Sequence, residues 1–212
     1  MTDWQHHYEV GETPWAKGLP HPHLTSLPPD TLTGSWLIPG CGYGHDAPEL
    51  VRAGAEQVIG IDIAPLAVSQ AKALWARNSH IAIALGDLFQ MESSGRAGTF
   101  DGAWEHTCFC AIHPSLRPGY VRSLAAALRP GGLLMACFYL LPWDPDEDQS
   151  QGPPFGTTLA ELDHLFGGDF ILENEFAPTA TFPGRAGREW IRHLRRREKT
   201  IAGSVHPHYE TS

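Results

Sequence analysis

Apolar runs of five or six residues recur along the chain, separated by longer stretches whose apolar positions repeat at helical spacing. Strands buried on both faces read as unbroken apolar runs, so this rhythm predicts an α/β protein with a parallel sheet. The runs Ser35–Pro39, Gln57–Asp62 and Ile81–Leu85 give the first three strands, residues 100–105 the fourth and residues 133–140 the fifth. Helices are expected between and after them, over residues 47–53, 65–77 and 117–128. In the second of these Pro65 suits a first turn, and Leu66, Ser69, Ala73 and Leu74 would share one face; the third would stop at Pro130-Gly131-Gly132. Beyond Gly152-Pro153-Pro154-Phe155 come a helix at Leu159–Phe166 and strands at Phe170–Phe176 and residues 189–195, whose connecting loop allows antiparallel pairing. The expected fold is therefore Rossmann-like, a seven-stranded, mostly parallel sheet with helices on both faces. Residues 1–33, rich in Trp, His and Pro and weakly periodic, precede it.

Composition narrows the setting. At 212 residues the chain suits a single domain with a real core, and a net charge of −9 argues against nucleic-acid or anionic-membrane partners. The basic run Arg192, Arg195, Arg196, Arg197 and Lys199 reads as a solvated strand face rather than an anion patch. Cys41, Cys108, Cys110 and Cys137 form no CxxC pair and read as reduced thiols. The twelve histidines are scattered or lie beside prolines, as in His21-Pro22-His23 and His206-Pro207-His208, without HExxH, so no metal site is expected. There is no apolar run near twenty residues and no basic-then-apolar N-terminus, which leaves a cytoplasmic location as the default. A monomer is expected, with a homodimer as the alternative.

The most informative stretch is Pro39-Gly40-Cys41-Gly42-Tyr43-Gly44-His45-Asp46, which follows the first strand, together with Asp62 at the tip of the second. A buried strand feeding a Gly-rich turn and a helix lets backbone approach a ligand, and an acid at the next strand tip can accept both ribose hydroxyls. The glycines at 40, 42 and 44 do not match GxGxxG, and no Gly-Lys-Ser/Thr follows, so dinucleotide and P-loop readings fail. S-adenosylmethionine fits better: it carries no phosphate, and the helix N-terminus favours its carboxylate. Asp87 after the third strand is placed to accept from the adenine amino group and Leu88 to pack on its face, while Glu105-His106 closes the fourth strand at the same edge. For each Asp alone the competing role is a helix cap or turn residue.

With those residues laid out, the chain resembles the thiopurine S-methyltransferase family, and within it the thiol, thiocyanate and halide methyltransferase branch. The resemblance rests on Trp4, Tyr8 and Gly11-Glu12-Thr13-Pro14-Trp15, on Pro39 to Asp46, on Gly60-Ile61-Asp62-Ile63 and on Gly86-Asp87-Leu88-Phe89. It continues through Phe100-Asp101, Cys108-Phe109-Cys110-Ala111-Ile112-His113-Pro114 with Arg117, Leu128-Arg129-Pro130-Gly131-Gly132 and Gly152-Pro153-Pro154-Phe155. It implies the class I S-adenosylmethionine-dependent methyltransferase fold. The candidate cofactor-binding set becomes Trp4, Tyr8, Trp15, Gly40, Cys41, Gly42, Asp62, Ile63, Asp87, Leu88, Glu105 and His106. Two positions depart from the pattern: Tyr8 stands where relatives often carry Trp, and His106 where they are similar to Tyr or Arg.

The implied reaction moves a methyl group to a small soft nucleophile: a thiol, thiocyanate, a halide or a thiopurine. His106 is the candidate base for an acceptor that binds protonated, and residues 1–33 are expected to act as a lid through Trp4, Tyr8 and Trp15. The alternatives are a non-catalytic domain that binds S-adenosylmethionine and a methyltransferase for another small-molecule acceptor.

Overall fold

A computed structural model describes residues 2–144, 146–148 and 151–198. Its strands are β1 (Ser35–Pro39), β2 (Gln57–Asp62), β3 (Ile81–Leu85), β4 (Phe100–His106), β5 (Leu128–Tyr139), β6 (Phe170–Phe176) and β7 (Glu189–Arg196). The helices are α1 (Trp4–Val10), α2 (Pro22–Thr25), α3 (Ala47–Arg52), α4 (Pro65–Trp75), α5 (Arg117–Ala127) and α6 (Leu159–Phe166). One sheet holds all seven strands in the order β3-β2-β1-β4-β5-β7-β6. β1 to β5 run parallel, and β7 is antiparallel to both β5 and β6. From β1 the chain winds outward to β3 and then returns to lay β4 on the other side of β1. The connections after β1 and β4 thus leave in opposite directions and open a crevice at the carboxyl edge.

Alternation along the central strands feeds two cores. Trp36 and Ile38 of β1, Trp104 of β4 and Met135 and Cys137 of β5 pack with Leu24 of α2, Leu50 of α3 and Val68 and Ala71 of α4. Leu37, Ala103, Leu134, Ala136 and Phe138 face the other way, against Tyr120, Val121 and Leu124 of α5 and Leu162 and Phe166 of α6. No helix among the described residues is long and apolar enough to cross a membrane.

Two local expectations are corrected. α4 buries Ala67, Val68 and Ala71, whereas Ser69 and Ala73 are exposed and Leu74 is 53 % exposed. Small residues on the inner face let the helix lie close to the sheet, and Ala64 and Ala67 also receive Tyr8 from α1. β5 begins at Leu128 rather than after the Pro-Gly-Gly turn. Leu128 pairs with Phe100, Leu133 with Gly102, and the residues between bulge out with Gly131 at φ +74°. A bulge tolerates both a proline without a ladder donor and a left-handed glycine.

The basic run lies on β7 and just past it, where Arg192 alone is buried and Arg197 is exposed, so the solvated-face reading fails only at Arg192. Arg192 is buried and pairs with Asp163 and Glu175, Arg195 pairs with Glu173, and Arg196 with Asp169. Lys199 and His206-Pro207-His208 lie outside the described residues. All four cysteines are free thiols.

Arg117, 1 % exposed, holds the loop that follows β5. Its guanidinium donates to Glu161 Oε1 at 2.8 Å and to the carbonyls of Phe155 and Gly156 at 3.1 and 3.0 Å, and lies 4.5 Å over the Phe109 ring. Arg117→Met keeps the bulk and strands those acceptors, so it should cost about 2–4 kcal/mol of stability. Urea denaturation checks this; an unchanged midpoint rejects the anchoring role.

Candidate active site

The crevice widens into a cavity of about 1020 Å³. Its floor comes from the carboxyl ends of the parallel strands: Gly40 after β1, Asp62 and Ile63 at the end of β2, Asp87 and Leu88 after β3, and Thr107, Cys108 and Cys110 after β4. Tyr139 at the end of β5, Pro142 and Trp143 after it, Pro153 and Pro154, and Pro183 to Arg185 between β6 and β7 form the other half. Trp4, His7, Tyr8 and Trp15 close it from the N-terminal segment.

Backbone strain locates the close approach. Gly40 and Gly42 adopt φ of +55° and +52°; a Cβ at 40 would stand 2.6 Å from Cys108 Sγ, and one at 42 would stand 2.9 Å from Tyr8 Oη. Glycine therefore serves both conformation and clearance. The Gly42 N–H donates to Asp62 Oδ2 at 2.8 Å and the Ala64 N–H to Oδ1 at 2.9 Å. Burial pushes the Asp62 carboxyl upward, while the backbone N–H bonds of Ala64, Gly42 and Ile63 oppose that shift. With these backbone bonds made, the two oxygens still keep lone-pair capacity for a diol at the cavity wall. Asp87 is exposed and caps the turn Leu88–Ser94 by accepting from Phe89 N at 2.9 Å, so its cap role and its place on the wall coexist. Leu88 lies beside it, 6 % exposed.

The aromatic residues of the segment both anchor and line. Trp15 Nε1 donates to Tyr8 Oη at 3.2 Å, Tyr8 packs edge-on against Tyr43, and Trp4 against Trp15. Gln5 Oε1 accepts from Leu66 N at 3.0 Å, which seats α1 on the start of α4. A polar diol acceptor, close-packed glycines and an aromatic cover together fit S-adenosylmethionine: Asp62 would hold its ribose, and Leu88 and the tryptophans its apolar parts.

Four expected residues are off the wall of the large cavity. Cys41 turns toward Gly60, and Gly42 spends its N–H on Asp62. Glu105 is fully buried and accepts from Phe109 N at 2.6 Å, so it fixes the turn that presents Cys108 and Cys110 without reaching the cavity itself. His106 lines a neighbouring cavity of about 60 Å³. Its Nδ1 faces Asp46 Oδ2 at 2.8 Å and its Nε2 is buried without a hydrogen-bond partner among the described residues.

Sequence reasoning overlooked His7 and Arg185. Arg185 has 9 % of its side chain exposed; it bonds Glu189 Oε1 at 2.9 Å through Nη1 and lies 4.8 Å over the Tyr139 ring. No motif marks it, and only a lone cation after Phe182-Pro183-Gly184 between two strands hints at a role.

Known proteins match this chain in sequence and fold. The family model for thiopurine S-methyltransferase (TPMT) matches residues 1–190. A probable thiol methyltransferase 2 of Arabidopsis thaliana is 30 % identical over 188 residues, covering 82 % of this chain and 77 % of that one. Thiocyanate methyltransferase 1 of Brassica oleracea is 32 % identical over 172 residues, covering 76 % and 70 %. Among solved structures, the 1,6-didemethyltoxoflavin-N1-methyltransferase of Burkholderia thailandensis, with bound 1,6-didemethyltoxoflavin and S-adenosylhomocysteine, superposes with a TM-score of 0.66. At 18 % identity, over 92 % of this chain and 86 % of that one, it fixes the fold alone.

Two outcomes follow from this geometry. Asp62→Ala should weaken S-adenosylhomocysteine binding by roughly 30- to 100-fold, the worth of a charge-assisted pair of hydrogen bonds; unchanged calorimetric affinity rejects the ribose assignment. Burial pushes Glu105 from 4.5 up to about 7, against the opposing N–H bond from Phe109. A carboxyl raised on folding leaves stability intact below the unfolded value and erodes it as pH climbs to the folded one. Glu105→Gln should therefore gain stability relative to the parent between pH 4.5 and about 7, on the order of 3 kcal/mol at the plateau. Parallel urea titrations across that range read the difference; a constant offset would contradict it.

Proposed function

The chain belongs to the thiopurine S-methyltransferase family, and from that premise we propose that it methylates a small soft anion, a thiolate, thiocyanate or halide, held at Arg185. The family places S-adenosylmethionine as methyl donor and a small nucleophile as acceptor. The observation that carries the finer reading is a buried guanidinium on the apolar half of the cavity, oriented by Glu189 before any acceptor arrives.

The sheet order sorts the two reactants. Asp62, Asp87 and the glycine loop belong to β1, β2 and β3, whereas Arg185, Tyr139 and the proline-rich loops belong to the strands beyond β4. When bound, the donor supplies a methyl group on a cationic sulfonium. Transfer to an anion turns two ions into two neutral molecules, so water, which stabilises the separated ions, slows it. Tyr139, Trp143, Pro153 and Pro154 exclude water, Arg185 fixes the anion, and Asp62 fixes the donor's ribose; orientation supplies most of the acceleration. The N-terminal segment completes the enclosure, with α1 lifting from α4 as the motion that admits reactants.

A neutral thiol must first lose its proton. Two imidazoles compete for that duty. His106 is engaged by Asp46 and stands off the large cavity, while His7 stands on its wall, so position favours His7. Acceptors that arrive ionised need neither. The same reading makes the protein a cytoplasmic monomer that acts on a free small molecule, consistent with its charge of −9.

Arg185→Met should raise KM for thiocyanate roughly 10- to 100-fold with S-adenosylmethionine saturating, and His7→Gln should slow an alkyl thiol well below its rate with thiocyanate. Steady-state kinetics with thiocyanate, iodide and an alkyl thiol decide both. An unaltered KM for the anions sinks the Arg185 assignment, and if His106→Gln alone slows the thiol selectively, the base is His106.

A further inference from the structure

A second cluster of ligating side chains lies on the sheet face beneath the N-terminal segment, apart from the large cavity. In the ladder His106 stands opposite Cys137, Cys137 opposite Ile191, and Tyr139 opposite Glu189. His106, Cys137 and Glu189 therefore project from three adjacent strands on one face. His21, just before α2, descends onto them. Its Nε2 lies 3.1 Å from Glu189 Oε2 and 3.5 Å from Cys137 Sγ. His21 and Glu189 are buried, His106 has 10 % of its side chain exposed, and its Nε2 is the polar atom left without a partner. One ligand atom each from His21, His106 and Glu189 lie within 4.8 Å of one another.

We propose that His21, His106 and Glu189 bind a divalent metal ion of the zinc class, with the Cys137 thiolate as fourth ligand. Imidazole, carboxylate and thiolate are the donors zinc selects. Tetrahedral bonds of ordinary length would set nitrogen and oxygen ligands about 3.3 Å apart and nitrogen and sulfur about 3.6 Å apart, close to the His21 separations. The His106 ring and the Cys137 thiol must both draw in toward His21 and Glu189 to complete the shell.

The outer partners that orient ligands are already built. Asp46 faces His106 Nδ1 at 2.8 Å, which puts the ring proton on Nδ1 and the free lone pair on Nε2. Arg185 holds the other oxygen of Glu189 at 2.9 Å. His21 must change its proton. In the structure its Nδ1 accepts from His23 N at 3.1 Å, so Nε2 carries the hydrogen. Metal binding moves that proton to Nδ1, breaks this cap bond and releases the Cys137 thiol proton to solvent. A cap bond is worth only about a tenth of the binding energy of a structural zinc site. The small cavity lined by His106, Asp46 and Phe182 is the route in. The bound ion would clamp the N-terminal segment to β4, β5 and β7, whichever acceptor the enzyme uses.

Zinc and cobalt(II) binding to the untagged full-length chain, dialysed against chelator and then repurified, tests this. One equivalent per chain is expected, with thiolate-to-cobalt charge-transfer absorption that Cys137→Ser removes. His106→Gln and Glu189→Gln should lose the equivalent, whereas His80→Gln and the double change His206→Gln, His208→Gln should retain it. Asp46→Asn should weaken binding by about 10- to 100-fold. S-adenosylhomocysteine calorimetry reports which variants remain folded, and the parent spectrum with Cys137→Ser decides the matter if the others do not. Absence of a stoichiometric equivalent, or a cobalt spectrum that Cys137→Ser leaves unchanged, overturns the proposal and leaves a hydrogen-bond network closed by buried water.

Discussion

One carboxylate, with 12 % of its side chain exposed, joins the parts on which this molecule depends. Asp46 follows the glycine loop and opens α3. Its Oδ1 accepts from the backbone of His21 at 2.7 Å, and its Oδ2 meets Trp104 Nε1 and His106 Nδ1, both at 2.8 Å. The glycine loop, the N-terminal segment and β4 therefore converge on a single anion. Burial alone would raise its pKa; His106 beside it and the donors from His21 and Trp104 outweigh that, so the carboxyl is held below its ordinary value. An uncompensated charge there would be costly, so the three donors must keep their positions together.

That constraint works only because the sheet brings strand ends together. Parallel strands place every carboxyl end on one edge, and the reversal between β1 and β4 parts the loops there. Asp62, Asp87 and the glycine loop then lie on one side of the reversal, and Tyr139 and Arg185 on the other. Glu105 and Arg117 act one layer below. The first holds the turn after β4 through Phe109 N, the second holds the loop after β5 through two carbonyls. Neither lines the large cavity, yet the positions of Cys108 and Pro154 on its wall rest on them.

What the sequence disclosed follows the same logic. β1 and β2 are legible as apolar runs because both their faces are buried, β3 stays legible at the sheet edge because its exposed positions are Ala82 and Leu85, and Asp62 and Asp87 are legible because a strand tip in a parallel sheet has a fixed destination. The inner face of α4 was misread because alanine carries little hydropathic signal while making close packing possible; Leu74 looked apolar and faces water. The start of β5 was hidden by a proline and two glycines that ordinarily end pairing and here form a bulge. His106 sits at the expected edge, but which cavity its ring meets depends on Asp46, sixty residues away in the chain. Arg185 and Glu189 are local neighbours four residues apart, but His21 meets Glu189 only across the fold, a contact that no local pattern encodes.

Glu189 makes that contact consequential for chemistry. Its two oxygens serve two neighbourhoods, Oε1 toward Arg185 on the cavity wall and Oε2 toward His21 beneath the N-terminal segment. Hydrogen bonds from both sides outweigh the upward push of burial and keep the carboxyl ionised. A carboxylate shared in this way divides one negative charge. Whatever draws more of it toward His21, a proton on that ring or a cation beside it, leaves less to neutralise the guanidinium and strengthens the pull of Arg185 on an anion. The N-terminal segment and Arg185 on the cavity wall are thus joined through one side chain.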